Sequence, residues 1–232
     1  MKTLDRLRGG LIVSVQAWPG SPIDEPGILA AMARSAQRNG AAGVRMQSVE
    51  NIRAARAQLD LPMIGIIKTE YPGFAPYITP SVKEVQALAA CGVEIVAFDA
   101  TPRPRPDGAS VETLVEAIHD AGCVAMADCA TVGDALCAQA AGAEMLATTL
   151  CGYTEETSGT PLPALALVAE LAELDAFVVC EGGVARPERV SDAFDAGADA
   201  VVVGSAITNV DWLVREFASR APKRPPTAQG TR

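Results

Sequence analysis

The chain has 232 residues, a formal net charge of -9 and a mean hydropathy of +0.20. The length suits one domain with a large core, and the negative charge argues against a nucleic acid partner, because binding to phosphate backbones requires a basic surface. No apolar stretch approaches the roughly 20 residues that cross a bilayer, and the N-terminus does not resemble a signal peptide, so we expect a cytoplasmic protein with no membrane partner.

Eight apolar runs, rich in β-branched residues, recur at roughly even intervals along the chain. They cover residues 11–16, 43–46, 63–68, 95–99, 124–128, 145–149, 177–181 and 200–204. Continuous apolar runs are typical of parallel strands whose two faces are both covered by other elements. The pattern therefore predicts eight buried parallel strands.

A helical pattern that ends in glycine lies between most of these runs. The glycines that end these patterns include Gly40, Gly92, Gly122, Gly142 and Gly197. Glycine at this position lets a helix end and the chain return to the sheet, and the repeat predicts right-handed βαβ units. Eight such units close most simply into a (β/α)8 TIM barrel over residues 1–217, with an N-terminal capping helix. An open doubly wound sheet is the alternative, and residues 218–232 are predicted to be a disordered, basic and proline-rich tail.

The loops after the last two runs carry the residues that a phosphate group requires. Gly182 and Gly183 follow the seventh run, and Gly204 and Ser205 follow the eighth. In TIM barrels these two loops commonly hold phosphate on backbone N–H groups. We therefore expect a small phosphorylated ligand at this end of the barrel.

Polar residues at the ends of buried strands are the best candidates for chemistry, because they leave an apolar wall and face the active-site end of the barrel. These residues are Gln16, Arg45, Lys68, Asp99, Asp128, Thr148, Glu181 and Ser205. A lysine that leaves an apolar strand is partly desolvated, which lowers its pKa and allows it to act as a base. We predict Lys68 as that base and Glu181 as a second acid or base, or as the group that sets the charge of Lys68.

The other strand-end residues are predicted to bind the ligand. Asp128 is a candidate acceptor for a ligand hydroxyl group, while Arg45 and Gln16 are candidate ligands for an amide or hydroxyl oxygen. Structural ion pairs and loop hydrogen bonds are the alternative roles. The only histidine, His119, lies on the solvent side of a predicted helix, which argues against a His-rich metal site. We expect neither a metal nor a cofactor.

The chain resembles the bacterial N-acetylmannosamine-6-phosphate 2-epimerase family over nearly its whole length. The matching blocks read LIVSVQA from Leu11, GVR from Gly43, IGIIK from Ile64, YITP from Tyr77, MAD from Met126, GYTEET from Gly152 and VGSAIT from Val203. The resemblance implies a barrel, often dimeric, that interconverts N-acetylmannosamine 6-phosphate and N-acetylglucosamine 6-phosphate through the proton at C2, without metal or nucleotide.

The resemblance also implies roles for particular residues. Lys68 and Glu181 correspond to the catalytic pair of the family. The implied substrate contacts are Gln16, Arg45, Asp128 and Tyr153, to which the strand-end analysis adds Thr148, with phosphate near Gly182, Gly183, Gly204 and Ser205. Asn209 stands where family members often have arginine. A Schiff-base lysine enzyme of the aldolase or synthase type, or a non-catalytic sugar-phosphate-binding barrel, is the alternative interpretation.

Overall fold

The computed structural model describes residues 2–222 and contains a closed barrel of eight parallel strands paired in chain order. The strands are β1 (Gly10–Val15), β2 (Gly43–Gln47), β3 (Met63–Ile66), β4 (Ile95–Asp99), β5 (Val124–Asp128), β6 (Met145–Ala147), β7 (Phe177–Glu181) and β8 (Ala200–Val203). Because β1 pairs with both β2 and β8, the predicted barrel is confirmed and the open sheet is wrong.

Helices alternate with the strands around the barrel. Over residues 2–222 they are α1 (Lys2–Leu7), α2 (Pro26–Arg38), α3 (Val49–Arg56), α4 (Val82–Ala89), α5 (Val111–Asp120), α6 (Val132–Ala140), α7 (Leu165–Leu171), α8 (Glu188–Asp195), α9 (Ser205–Thr208) and α10 (Val210–Arg220). The glycines after α4, α5, α6 and α8 all have positive φ, as the sequence predicts. None of these helices is long and apolar enough to span a bilayer.

The two ends of the chain differ in how they match the prediction. Helix α1 is the predicted N-terminal cap, since its Leu7 is fully buried and packs with the residues that fill the barrel. At the other end, α10 continues to Arg220. The predicted tail therefore begins too early, because residues 218–220 extend a regular helix. The remainder of that tail, residues 223–232, lies outside the described residues.

Side chains along each strand alternate between two apolar layers. Those that point inward fill the barrel, and they include Ile12, Ile64, Ile66, Ala97, Met126, Ala147, Val179 and Val202. Those that point outward pack beneath the helices, and they include Val13, Val44, Phe98, Leu146 and Cys180. Because side chains alternate with a period of two, the next inward position on each strand faces the opening at the carboxyl end. This parity decides which polar residues reach the site.

Candidate active site

A cavity of about 750 Å³ opens at the carboxyl ends of the strands. The predicted residues that line it are Gln16, Arg45, Lys68, Tyr153, Glu181, Gly182, Gly183, Gly204 and Ser205. Asp128 and Thr148, also predicted as substrate contacts, are not part of the lining. The structure thus brings residues of six different strand ends or following loops into one space and leaves three strand-end candidates, Asp99, Asp128 and Thr148, buried behind its wall.

Arg45 lies in the floor of the cavity and forms ion pairs with two carboxylates. It projects from β2 across the barrel, and its side chain is 1% exposed. Its Nη2 lies 2.7 Å from Asp128 Oδ2, and its Nη1 lies 2.9 Å from Glu181 Oε2. Burial alone lowers the pKa of Arg45, but the two carboxylates outweigh burial and raise the pKa above its ordinary value. Arg45 is therefore a permanent cation that holds two acidic side chains in place.

Asp128 lies beneath the floor rather than in the cavity. Its side chain is fully buried. Oδ1 accepts hydrogen bonds from Arg45 Nη1 at 3.0 Å and from Thr149 Oγ1 at 2.7 Å, while Oδ2 accepts from Arg45 Nη2. Both carboxylate oxygens are hydrogen-bonded within the protein and covered, so the contact with a ligand hydroxyl stays a prediction. In this structure Asp128 orients Arg45.

Glu181, the last residue of β7, lies between the buried charges and the open cavity. Its side chain is 12% exposed, and its Oε2 accepts a hydrogen bond from Thr149 Oγ1 at 3.2 Å. Burial raises the pKa of Glu181 to about 7, although the Arg45 guanidinium opposes this shift. A carboxyl group with this pKa is present in both protonation states near neutral pH, which suits a general acid or base.

Lys68 lies beyond the end of β3 and extends into the same cavity. Its Nζ donates a hydrogen bond to Gln16 Oε1 at 2.7 Å, and Gln16 Nε2 donates to Ser14 Oγ at 2.7 Å. The surrounding walls desolvate the ammonium group and lower its pKa, and the positive charge of Arg45 lowers it further. Lys68 is therefore predisposed to lose its proton. Gln16, predicted as a substrate contact, is in this structure the hydrogen-bond partner of that amine.

Thr149, and not the predicted Thr148, faces the cavity. Thr148 is fully buried, and its hydroxyl bonds to the backbone N–H and C=O of Glu181. Thr149 lines the cavity and donates to Asp128 and Glu181. Met145 and Ala147 face inward on β6 and Thr149 continues this alternation, so Thr148 points away from the cavity and its contact with substrate stays a prediction.

The glycine loops after β7 and β8 form one end of the cavity. Gly182 and Gly183 have φ values of +104° and +70°, and their N–H groups donate to no acceptor among residues 2–222. Ser205 begins the short helix α9 at the same end. Asn209 also lines the cavity, and its Oδ1 accepts from Trp212 N at 2.8 Å as the N-cap of α10. Uncommitted N–H groups at two adjoining loops are suited to hold a phosphate group.

A methyl group at Gly183 tests this end of the cavity. A Cβ at Gly183 would lie 2.3 Å from Leu162 Cβ, whereas a Cβ at Gly40 would meet nothing within 4 Å, although both glycines have positive φ. We expect Gly183→Ala to raise the KM for a phosphorylated substrate about tenfold, the loss of one strong hydrogen bond. Gly40→Ala carries the same backbone strain and should leave KM unchanged. Equal KM values for the two variants would remove the Gly183 loop from the ligand site.

Several residues that line the cavity are not among the site residues that the sequence predicts. They are Ser14, Trp18, Gln47, Glu70, Tyr77, Thr149 and Trp212. The alternation of side chains along β1, β2 and β6 was available as a signal for Ser14, Gln47 and Thr149. Trp18 lies in the loop after β1, two residues beyond Gln16, whereas nothing local marks Trp212, which lies on α10 and reaches the cavity through tertiary packing.

The exposed His119 lies far from this chemistry in the fold, on α5, with its Nε2 3.2 Å from Glu144 Oε2. Among residues 2–222, no three or more histidine, cysteine, aspartate or glutamate side chains are grouped so that they could hold a metal ion.

Comparison with known proteins identifies close relatives. Residues 29–223 match the sequence model of a family described as "Putative N-acetylmannosamine-6-phosphate epimerase". Proteins named "Putative N-acetylmannosamine-6-phosphate 2-epimerase" from Synechococcus elongatus and Escherichia coli O9:H4 are 43% and 45% identical to this chain, over 96% and 93% of it and 97% and 93% of their own lengths. The solved N-acetylmannosamine-6-phosphate 2-epimerase of Clostridium perfringens superposes with a TM-score of 0.91 at 39% identity, covering 94% of this chain and 96% of that one.

Proposed function

Since this chain belongs to the N-acetylmannosamine-6-phosphate epimerase family, we propose that it interconverts N-acetylmannosamine 6-phosphate and N-acetylglucosamine 6-phosphate. The observation that carries the proposal is the pairing of Lys68 and Glu181 in one cavity. The pKa of the lysine is lowered and that of the glutamate is raised to about 7. A lysine whose pKa is lowered and a glutamate whose pKa is raised are together suited to move a proton off a carbon and back.

The reaction requires removal of the C2 proton from the open-chain sugar, in which the C1 aldehyde makes that proton acidic. Neutral Lys68 takes the proton through its Nζ lone pair. The electrons of the C2–H bond then form the C1–C2 double bond, and the negative charge moves to O1. Return of a proton to the opposite face of C2, from the Lys68 ammonium or from Glu181, gives the epimer. General acid–base catalysis of this kind contributes about 10²- to 10⁴-fold to the rate.

The surroundings of the pair support these roles. The hydrogen bond that Lys68 donates to Gln16 Oε1 uses one N–H, and a neutral amine keeps a second N–H and its lone pair for the substrate. Arg45 holds the Glu181 carboxyl group by its Oε2. The uncommitted N–H groups of Gly182 and Gly183 lie at the end of the cavity where the 6-phosphate would bind.

The deciding experiment is incubation of the protein with N-acetylmannosamine 6-phosphate in D₂O, followed by proton NMR at C2. Formation of N-acetylglucosamine 6-phosphate with deuterium at C2 is expected. Borohydride treatment of the same mixture should leave the protein mass unchanged, whereas a trapped adduct on Lys68 would favour the Schiff-base alternative. Thermal stabilisation by the sugar phosphate with neither product nor exchange would favour a binding protein and contradict the proposed epimerase.

The pH dependence of catalysis should report the charge of Glu181. The rate is expected to rise with pH as Lys68 loses its proton, and the Glu181 carboxylate raises the pKa of Lys68. Glu181→Gln removes that carboxylate, so the acidic limb of kcat/KM should move to lower pH while the maximal rate falls. Profiles from pH 5 to 9 measure this shift, with exposed Glu173→Gln as the control. A limb that stays in place or moves to higher pH would contradict the coupling.

We also propose that the protein is a homodimer. The outer face of α10 supports this proposal. Val210, Val214 and Phe217 lie on one side of this helix and are 44%, 59% and 78% exposed. An apolar groove of about 310 Å³ adjoins α9 and is lined by residues of β1 and α2, including Leu11 and Met32. The proposed occupant of this groove is the α10 stripe of a second copy, because an exposed apolar surface of this kind commonly marks an interface.

Light scattering coupled to gel filtration tests the dimer. The wild-type chain should elute with twice the mass of one copy, and Phe217→Asp should elute as a monomer because a buried unpaired carboxylate opposes association. Glu216→Gln, on the same helix, is the matched control and should remain dimeric. A wild-type mass equal to one copy would refute the proposal.

A further inference from the structure

The hydrogen-bonded ladder between β3 and β4 is short. These strands pair only at Ile64 with Ile95 and at Gly65 with Val96, whereas β4 and β5 pair at five positions. Residues 77–79 occupy the space between β3 and β4 beyond the end of this ladder, and we call them the wedge segment. This segment belongs to the loop after β3 and inserts between the carboxyl ends of the two strands.

The wedge segment holds the backbone that carries Lys68. Lys68 and Ile78 form an antiparallel bridge, and Thr69 N donates to Tyr77 O at 2.9 Å. Since β3 ends at Ile66, the parallel ladder does not reach Lys68. The position of its backbone therefore depends on the wedge segment and not on the regular barrel.

Hydrogen bonds also connect the wedge segment to β4. Asp99 N donates to Ile78 O at 2.9 Å, and Thr79 Oγ1 donates to Ala97 O at 2.7 Å. The same Thr79 hydroxyl accepts from Ile67 N at 3.3 Å. One buried hydroxyl group thus joins the residue before Lys68 to the next strand of the barrel.

Thr79 also adopts a conformation that β-branched residues rarely take. Its φ is +44°, and the residue is fully buried. Left-handed backbone at a β-branched residue persists only where surrounding contacts enforce it, and such residues cluster at functional sites. Here the enforcing contacts are the hydroxyl bonds to both flanking segments and the bond from Thr79 N to Ile67 O at 2.7 Å. The strain therefore coincides with the point that anchors Lys68.

We propose that Thr79 is a positioning residue for the reaction, acting through the hydrogen bonds by which the wedge segment places Lys68 against the substrate. The proposal rests on Lys68 being the base of the proposed function. Thr79 does not line the cavity, so its effect is transmitted through Ile67 and the bridge between Lys68 and Ile78. A shift of a catalytic group by about 1 Å lowers the rate about 100-fold, so a small displacement of the wedge segment has a large consequence.

Thr79→Val tests the proposal, because valine preserves the shape and branching of the side chain and removes both hydroxyl bonds. We expect kcat and the rate of C2 deuterium exchange to fall about 10- to 100-fold, with KM within about twofold of wild type because the phosphate loops are untouched. Thr79→Ser restores the hydroxyl and should rescue most of the lost kcat. Because Lys68 is displaced, the acidic limb of the kcat profile should also move in Thr79→Val.

A second threonine provides a control that distinguishes a positioning role of Thr79 from an effect on stability alone. Thr131 caps α6, and its hydroxyl accepts from Asp134 N. Thr131→Val should lower Tm with no change in kcat or its pH profile. If Thr79→Val behaves in the same way, the positioning role is refuted. Should Thr79→Val not fold, Thr79→Ala, which lacks the branched side chain at this φ, carries the same test.

Lys68→Ala, measured alongside, distinguishes a failure of the positioning role of Thr79 from a failure of Lys68 as the base. If Lys68→Ala is inactive and Thr79→Val retains full kcat, the positioning inference alone fails. If Lys68→Ala retains activity, the proposed base is wrong, and the inference on Thr79 fails with it.

Discussion

Replacement of Lys68 by alanine is expected to lower kcat by about 10²- to 10⁴-fold, the range of general acid–base catalysis. The amine lines the cavity and its pKa is lowered by burial and by Arg45, so this variant removes the proposed base. Binding of the phosphosugar should be largely retained, because the glycine loops after β7 and β8 are unchanged. Steady-state rates, deuterium exchange at C2 and calorimetric titration with substrate measure the three quantities separately.

The matched control for this prediction is another lysine of the chain. Lys83 lies exposed on α4, away from the residues that line the cavity. Lys83→Ala should keep wild-type kcat, KM and C2 exchange. A Lys68→Ala variant with a near-normal rate would show that Lys68 is not the base, and loss of substrate binding in that variant would show that it acts mainly as a binding group.

Asp128→Ala should lower the free energy of unfolding by about 3–5 kcal/mol, as expected when one partner of a buried ion pair is removed. The change leaves the buried Arg45 guanidinium with Glu181 as its remaining carboxylate partner. Arg45 and Glu181 should then move from their positions, so kcat should fall as well, although Asp128 does not line the cavity. Urea denaturation followed by circular dichroism measures the stability, and steady-state kinetics measures the rate.

Two further variants separate the cost of an unpaired charge from the loss of packing. The double variant Arg45→Met, Asp128→Leu removes both charges and should recover most of the stability, because hydrophobic residues often replace a buried pair without loss. It should not recover kcat, since Glu181 then lacks its guanidinium partner. Asp192→Ala breaks the exposed pair with Arg189 and should change stability by less than about 1 kcal/mol. An Asp128→Ala cost no larger than this would contradict the prediction.

The sequence alone predicts most of the barrel because its strands are locally unambiguous. Five of the eight predicted strands differ from the structure: the first is shifted by one residue, and four differ in length at one end, as at residues 63–68, where β3 ends at Ile66. The ends are harder to predict, because strand pairing stops where a neighbouring segment intervenes. The wedge segment has this effect on β3, and no local pattern in its YITP block marks it as an inserted element.

Some features of the candidate site could likewise be predicted from local sequence, and others could not. That Lys68 and Glu181 reach the opening followed from the order of apolar and polar residues along their strands, since both lie on inward positions. The prediction that Thr148 faces the opening considered its place at the end of a strand but not its parity, and the structure has Thr148 behind the cavity wall. The alternation from Met145 through Ala147 to Thr149 contained the correct answer.

The amino-acid sequence by itself determined the closed barrel, the end at which the cavity opens and the kind of groups that surround it. These follow from local apolar runs, glycine helix ends and strand-end side chains, each of which acts within a few residues. The tertiary structure alone decided that Asp128 lies beneath the floor, that Gln16 Oε1 accepts a hydrogen bond from Lys68 and that the wedge segment forms a bridge with the backbone of Lys68. Arg45 and Asp128 are separated by 83 positions, and only closure of the barrel brings their charges together, where burial makes the pairing obligatory.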